Sequence, residues 1–569
     1  MSRALSLPWF PVALIVILAV ATIGRGTAPA SAATFTVTKT ADTADGTCNA
    51  DCSLREAIIA AEAAGGADTI SFDPAAFPQG TPATIAVAGS ELPTLSDTTV
   101  DGTGAGVIID GSGLVSGTGL NFNSGGSLTG ATVRNVTIQN FPDEGINMNA
   151  FSDLVDATIA DVVLNGNEDG INLNAGADNT GATISNTTAS GSAGTGININ
   201  AGDNLNDATI SGSTVSGNGD EGVNLNAGAD NTGATISDTT VSGNSSTGIV
   251  LNAGGNLTDA TISSSTISGN GEGGVDACCG GGLGTSLTIT NSTISGNTLD
   301  NDGGGLYQDA SSAVITGSTI SGNTAADGEG GGIANYGVLS VTNSTISGNT
   351  AAFDGGGIYT GFDAELTLTN VTITGNTTQS FDSGGGLFGD GSPVDVKNTI
   401  IAGNVDTGGV APDCGGPITS QGHNLIQDTT GCTITGDTTG NITGQDPNLG
   451  ALAGNGGPTQ THALLAGSPA IDAADDSGCP STDQRGVARP QDGDGNGSAV
   501  CDIGAYELQP AQATPTPTGT PTPTASPAAL PPSGATPTGD SSAGRNLAVA
   551  VIALAGLAAG AWALRRRLA

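Results

Sequence analysis

Aliphatic residues return along the middle of this chain about every 26 residues, on a background of Thr, Ser, Asn and Gly. The beat is clearest at the polar residue closing each Ser-Gly-Asn-like turn. These corners are Asn140, Asn167, Ser192, Asn218, Asn244, Asn270, Asn297, Asn323, Asn349, Asn376 and Asn404, spaced 25 to 28 residues apart. Eight places before the corner runs one apolar set, from Ile159 and Ile184 to Leu368 and Val396. Three places before it runs a second, from Leu164 and Val215 through Ile267 to Ile401. A third follows the corner, from Ile146 and Ile171 to Ile358 and Leu387. Around each position apolar residues alternate with Thr or Ser, as in Thr235-Ile236-Ser237. That period of two specifies strand, not helix. A repeat of this length marks a solenoid whose coils pack only on their neighbours. The prediction is an all-β parallel β-helix with three short strands per coil, one aliphatic from each face pointing inward. Eleven or twelve coils at about 4.8 Å would give a rod of roughly 50–60 Å. Corner Asn residues suit left-handed backbone, and their amides can bond to the amide stacked above.

The third set changes its distance from the corner. It lies four or five residues after it from Asn167 to Asn270, and nine to eleven after it from Asn297 onward. The period barely changes, so residues leave one turn and enter another. Early coils carry a long turn of the type Asn-Ala-Gly-Ala-Asp-Asn-Thr-Gly, late coils one of the type Gly-Asn-Thr-Ala-Ala-Phe-Asp-Gly-Gly-Gly. The switch falls near Cys278-Cys279-Gly280.

The two ends have other chemistry. Arg3, an apolar stretch near Val12–Ile23 and Ala30-Ser31-Ala32 before Ala33 predict a secretory signal peptide over 1–33. The apolar run Leu547–Leu564 followed by Arg565-Arg566-Arg567 predicts a membrane span with a basic cytoplasmic tail over 545–569. Thr-Pro repeats such as Thr514-Pro515-Thr516-Pro517 make 509–544 an extended linker without a core. Between these lie a cap with the first coils (34–130), the β-helix repeats (131–410) and a C-terminal region (411–508). The expected location is the extracellular face of the cell membrane or cell wall, anchored C-terminally.

Composition narrows the partners. Lys and Arg number 12 against 53 Asp and Glu, a net charge of −41. Between Gly65 and Asp395 only Arg134 is basic. Nucleic-acid binding needs clustered cations and is excluded as a function class. The 8 cysteines are even in number and fit an exported protein. Local spacing pairs Cys48–Cys52, Cys414–Cys432 and Cys479–Cys501, while adjacent Cys278 and Cys279 stay open between a vicinal disulfide and two thiols. His423 and His462 have no Cys at ligand spacing, which argues against zinc.

A solenoid needs its open ends covered. Ser53-Leu54-Arg55-Glu56 is a capping box, Leu54, Ala57, Ile58 and Ala61 form an apolar face, and Gly65-Gly66 stops the run. One short helix here is expected to plug the N-terminal end. The run Cys52-Ser53-Leu54-Arg55-Glu56-Ala57-Ile58 resembles the CSLREA opening of secreted β-helix proteins. The segment from about Asn424 to Glu507 resembles the choice-of-anchor Q domain of bacterial surface proteins. The matching residues are Asn455-Gly456-Gly457-Pro458-Thr459-Gln460-Thr461-His462-Ala463-Leu464, Gly467–Asp472, Asp483-Gln484-Arg485-Gly486 and Cys501–Glu507. The resemblance implies a right-handed parallel β-helix of the pectin-lyase type and no known activity.

That fold also hosts polysaccharide lyases and hydrolases, so an enzyme is the alternative. Lyases of this shape need cations to stabilise the charge that develops beside an acidic sugar, and the coils offer Arg134. The paired acids Asp143 with Glu144, Glu168 with Asp169 and Asp220 with Glu221 recur at equivalent positions, as turn residues do. No catalytic residue is assigned. Asp302, Glu329, Asp354 and Asp382 precede the Gly-Gly-Gly runs, one per coil; their carboxylates either splay into water or are bridged, with calcium the natural bridge. A sharper calcium candidate is Asp492-Gly493-Asp494-Gly495-Asn496-Gly497-Ser498, the first half of a D-x-D-x-N-G loop. Its candidate ligands are Asp492, Asp494, Asn496 and Ser498, with Asp502 in place of the Glu that usually closes such a loop. The leading reading is a non-enzymatic surface protein whose long Thr-, Ser- and Asn-rich face meets a polysaccharide or extracellular matrix; a purely structural spacer is a further alternative. Aromatic residues are only 3%, which weakens a dedicated carbohydrate platform; Tyr307, Tyr359 and Phe388 align just after the glycine runs, either as a ligand surface or as a stack that supports the turn.

Overall fold

The computed structural model describes residues 32–277, 285–380, 383–392 and 394–510. The expected signal peptide up to residue 31, Cys278 and Cys279, Asp382, the expected linker beyond residue 510 and the expected C-terminal span lie outside the described residues. Among the described residues no helix is long and apolar enough to cross a membrane.

The described chain winds as a parallel β-helix, and the three apolar sets define its three faces. Ile159 pairs with Ile184 on the first face, Val241 with Ile267 on the second, and Ile171 with Ile197 on the third. All six are fully buried in one continuous core. The second face is a 15-stranded sheet. Its first strands, Ala83–Ala88 and Val107–Gly113, and its last, Leu425–Ile426 and Ile442–Thr443, lie outside the run of Ser-Gly-Asn corners. The stack is therefore longer than the corner residues indicate.

The displaced turns of early and late coils are themselves strands. A 6-stranded sheet runs from Leu128–Thr129 to Leu257–Thr258, and a 5-stranded sheet from Thr298–Leu299 to Val405–Asp406. The coils between Leu128 and Asp406 thus have a fourth, two-residue strand, which changes corner between Thr258 and Thr298. The shift in the apolar spacing is this change of corner.

Asn140 takes left-handed backbone at φ 59°, but at the later corners that conformation falls one residue earlier than the sequence suggests. Gly243 takes φ 63°, a conformation that costs glycine little, and Asn244 after it turns its side chain inward. The buried amides form a ladder along the core. Nδ2 of Asn244 donates to Oδ1 of Asn270 at 2.9 Å, Asn270 to Asn297 at 2.9 Å, and Asn297 to Asn323 at 3.0 Å. Each Oδ1 also accepts the backbone N–H of the preceding corner, as Asn297 does from Asn270 at 3.0 Å. A buried amide is tolerated only when its donors and acceptors are satisfied, and here the next coil satisfies them.

The N-terminal cap follows the sequence reading. Helix α1 spans Leu54–Ala64 with both hydrogen bonds of the Ser53–Glu56 capping box formed and Gly65 at its C-cap. Leu54, Ala57, Ile58 and Ala61 enter the core. Arg55 clasps Asp42 with two 2.8 Å hydrogen bonds. Glu56 is buried and accepts the backbone N–H groups of Asp45 and Ser53, each at 2.8 Å. The disulfides Cys48–Cys52, Cys414–Cys432 and Cys479–Cys501 are all present.

Residues after Thr443 leave the coils and fold back along the second face as a clamp. Its core joins Leu464, Ala470, Cys501 and Ile503 to Ile400 and Leu425 of the β-helix. Gln484 Nε2 donates to Ser318 O at 3.1 Å and Thr319 Oγ1 at 3.0 Å, and its Oε1 accepts from Thr345 Oγ1 at 2.6 Å. His462 Nε2 sits 2.8 Å from Ser347 Oγ, and Ala505 N donates to Thr372 Oγ1 at 3.0 Å. The motif residues of the C-terminal resemblance thus bond to the Thr-Ile-Ser and Thr-Ile-Thr rungs of the late coils.

Candidate functional site

The third face points a single column of side chains outward from the coil at Asn121 to the coil at Phe388. Strand register aligns Asn121, Asn147, Asn172, Asn198, Asn224, Val250, Asp276, Tyr307, Ala334, Tyr359 and Phe388. A second amide column, Asn149, Asn174, Asn200, Asn226 and Asn252, runs beside its early half. These Asn side chains are outward because the strands alternate, as in Ile171-Asn172-Leu173-Asn174-Ala175, where only the Asn residues are partly exposed. Some rungs bond to one another, as Asn198 to Asn172 at 3.2 Å and Asn200 to Asn174 at 3.0 Å, while Oδ1 of Asn147 and of Asn198 has no partner. The column changes from amide to aromatic at Asp276.

The aromatic half is stacked. Ring centroids of Tyr307 and Tyr336 lie 5.4 Å apart, Tyr336 and Tyr359 5.7 Å, and Tyr359 and Phe388 6.2 Å. Tyr336 fills the place left by Ala334. Its hydroxyl donates to Asp302 Oδ2 at 2.6 Å and lies 3.4 Å from Glu329 Oε2. Burial and the nearby carboxylates push the Tyr336 and Tyr359 hydroxyls well above the usual phenol range. Tyrosine hydroxyls therefore stand between the stacked acids of these turns, where the sequence reading places a calcium bridge. Burial also raises Glu329 and Asp354.

Where amides give way to rings, Thr247, Glu272, Asp276, Asn301, Asp302 and Tyr307 line a cavity of about 310 Å³. Glu272 accepts from Ser246 Oγ at 2.9 Å. Asp302 accepts from Tyr336 and from the backbone N–H of Glu329 at 2.8 Å. Among the described residues the Asp276 oxygen Oδ1 is shielded and has no partner, and burial pushes its carboxyl up.

The paired acids of the early coils edge the same face and take donors from their neighbours. Asp143 Oδ2 accepts from Gly117 N at 2.7 Å, Glu144 Oε2 from Thr118 Oγ1 at 2.8 Å, and Glu221 Oε2 from Thr195 Oγ1 at 3.0 Å. Burial, and then the charges of Glu144, Glu168 and Asp220, raise Asp169. Arg134 is committed to Asp101 at 2.7 Å.

The C-terminal loop gathers only part of its predicted ligand set. Asp492 and Asp494 each bring an oxygen within 4.8 Å of one another and of Asp472, a residue outside that set. Asp492 Oδ1 is shielded and has no partner. Asn496 instead props the loop, donating from N and Nδ2 to Asp494 at 2.9 Å each, and its Oδ1 accepts from Ser498 N at 2.9 Å. Asp502 stands apart, fully buried in the clamp. Its oxygens accept from the backbone N–H groups of Asp472 at 2.7 Å and Leu508 at 2.5 Å. Burial, and then Glu507 and Asp472 nearby, push its carboxyl up to about 7. Asp472 escapes a local reading because it lies 20 residues before Asp492; its place at the end of the Gly467–Asp472 motif is the one available signal.

A model of the right-handed β-helix region matches residues 105–286 and 281–446. No curated protein matches the chain. Three solved structures are similar in fold. Pectate lyase Pel9A is 14% identical, with 84% of this chain and 97% of that chain covered and a TM-score of 0.31. The A-module of mannuronan C-5 epimerase AlgE4 from Azotobacter vinelandii is 18% identical, covers 69% and 98%, and has a TM-score of 0.36. The AlgE6 A-module of the same organism is 16% identical, covers 69% and 94%, and has a TM-score of 0.30. With TM-scores this low, they carry no argument about what this chain does.

Proposed function

From the premise that this chain belongs to the right-handed β-helix family, we propose that it is an exported, C-terminally anchored surface protein whose third face binds a polysaccharide or matrix glycan without cleaving it. The observation that carries this reading is the outward column that runs from amides, through Val250 and Asp276, to stacked aromatic rings. Amides offer donors and acceptors at intervals of about 4.8 Å along the axis, and rings offer apolar faces to sugars. The purified protein is expected to retain glycans on an array and to release no reducing ends from those it retains. Release of reducing ends would favour the glycoside hydrolase or lyase alternative, whose foothold is the cavity at Asp276. Absence of any retention would leave the structural spacer.

The CSLREA and choice-of-anchor Q resemblances, the signal peptide and the span support the surface location. Deleting Leu547–Ala569 is expected to release the protein into the medium; fractionation of cells would show it still membrane-bound if the anchor lies elsewhere.

Calcium is the proposed cation of the C-terminal loop, held by Asp472, Asp492 and Asp494. Three converging carboxylates and the orphaned Asp492 Oδ1 suit a hard cation that takes oxygen ligands. Binding to the folded state alone would stabilise the clamp by about 2.7 kcal/mol at 100 times Kd. Calorimetry with calcium and with chelator is expected to show that gain, and Asp494→Ala to abolish it. Superimposable curves would leave an ordinary turn.

A further inference from the structure

We infer that the outward column takes a polysaccharide without anionic groups, and that the Asp276–Tyr307 cavity is the subsite that seats one of its rings. This rests on the reading of the face as glycan-binding and adds the chemical class. Three observations on different scales converge on it.

The first is charge. Carboxylates edge the column along its length, at Glu144, Asp169, Glu221, Glu272 and Asp302. The coils answer with Arg134 and Lys397, both on the first face and bonded to Asp101 and Asp475. A polymer carrying a carboxylate on each ring would meet like charge at successive rungs. A neutral or aminated polymer would not.

The second is the hydrogen-bond inventory of the cavity. Glu272 and Asp302 are engaged by their neighbours, and Asp276 Oδ1 is not. A shielded acceptor without a donor is costly, so the cavity calls for a donor. Sugar hydroxyls and protonated amines are donors; a uronate ring has hydroxyls too, but its carboxylate is an acceptor that cannot serve Asp276 and is repelled by the carboxylates around it.

The third is shape. At about 310 Å³ the cavity is at the lower end of ligand pockets and suits a single ring. Tyr307 is partly exposed at the open end of the aromatic stack and supplies an apolar wall. The amide columns continue from the cavity along the axis, so the rest of the chain has a surface to follow.

The test uses the full-length protein with three probes, hexasaccharides of β-linked glucose, glucosamine and galacturonic acid, in titration calorimetry. The glucose or glucosamine probe is expected to bind at least about 100-fold more tightly than the galacturonate, a gap of about 2.7 kcal/mol. Added salt is expected to narrow that gap. Which of the two binds more tightly tells whether a hydroxyl or an ammonium group meets Asp276. Asp276→Asn and Tyr307→Ala are each expected to weaken binding about 10-fold at unchanged unfolding temperature. If Tyr307→Ala unfolds early, Asp276→Asn decides alone. Galacturonate binding as tight as the others, or affinity untouched by Asp276→Asn, overturns the inference and leaves the glycan reading standing. Binding of none of the three probes removes the glycan reading itself.

Discussion

Ile267→Asp is expected to destabilise the β-helix by several kcal/mol and to open the coils on either side of it. Ile267 is fully buried between Val241 and Ile294 on the second face. A carboxylate there would find apolar neighbours, and the Asn ladder beside it has its hydrogen bonds already assigned. Because coils pack on their neighbours, the damage should be local before it is global. Limited proteolysis is expected to cut near the substituted coil well below the midpoint of thermal unfolding. Thr266→Asp, one residue earlier, provides the control. Thr266 is exposed, so its change should stay within about 0.5 kcal/mol. Equal effects at the two positions would show the inward register to be wrong.

The second large effect is a pH response of the clamp. Asp502 has its carboxyl raised to about 7 in the folded state, against an ordinary value of about 3.9. Between these values the folded protein holds a proton that the unfolded chain has lost. Stability is therefore greatest at the low end of that window and falls as pH rises through it, by up to about 4 kcal/mol by pH 7. Glu507, also raised by burial, acts in the same direction. The N-terminal cap does the opposite. Glu56 is lowered to about 2: burial opposes the shift, and the Ser53 and Asp45 hydrogen bonds and the Lys39 charge outweigh it. Its contribution is present above about 4.5 and lost as pH falls toward 2. Hydrogen exchange resolved by segment is expected to show the clamp opening first at pH 8 and the cap first near pH 3. Asp502→Asn should flatten the clamp's response; an unchanged response would place its origin elsewhere.

The core was legible because three apolar sets at fixed offsets from a polar corner leave one way to close a coil. The capping box was legible because its residues are adjacent. What escaped depends on residues far apart in the chain. The outward column is invisible to a local reading, since Asp276 and Tyr307 become neighbours only once the coil length is known. The same holds for Asp472 beside Asp492, and for the clamp, whose Gln484 meets Ser318 across 166 residues. Asn tolerates left-handed backbone and Asn140 takes it, but at the later corners the preceding glycines tolerate it better and free the amides to turn inward.

The clamp also decides how the molecule bears tension. A bare stack of coils pulled from its last residue would unzip rung by rung, each step breaking a few hydrogen bonds. Here the chain reaches residue 510 only after Gly504 has bonded to Asn398, Ala505 to Thr372 and Glu507 to Asp483. Farther back, Thr459 and Gln484 are fastened to Gly317 and Ser318. A pull from beyond residue 510 thus enters the stack sideways, across several coils at once, and loads these bonds together instead of one after another.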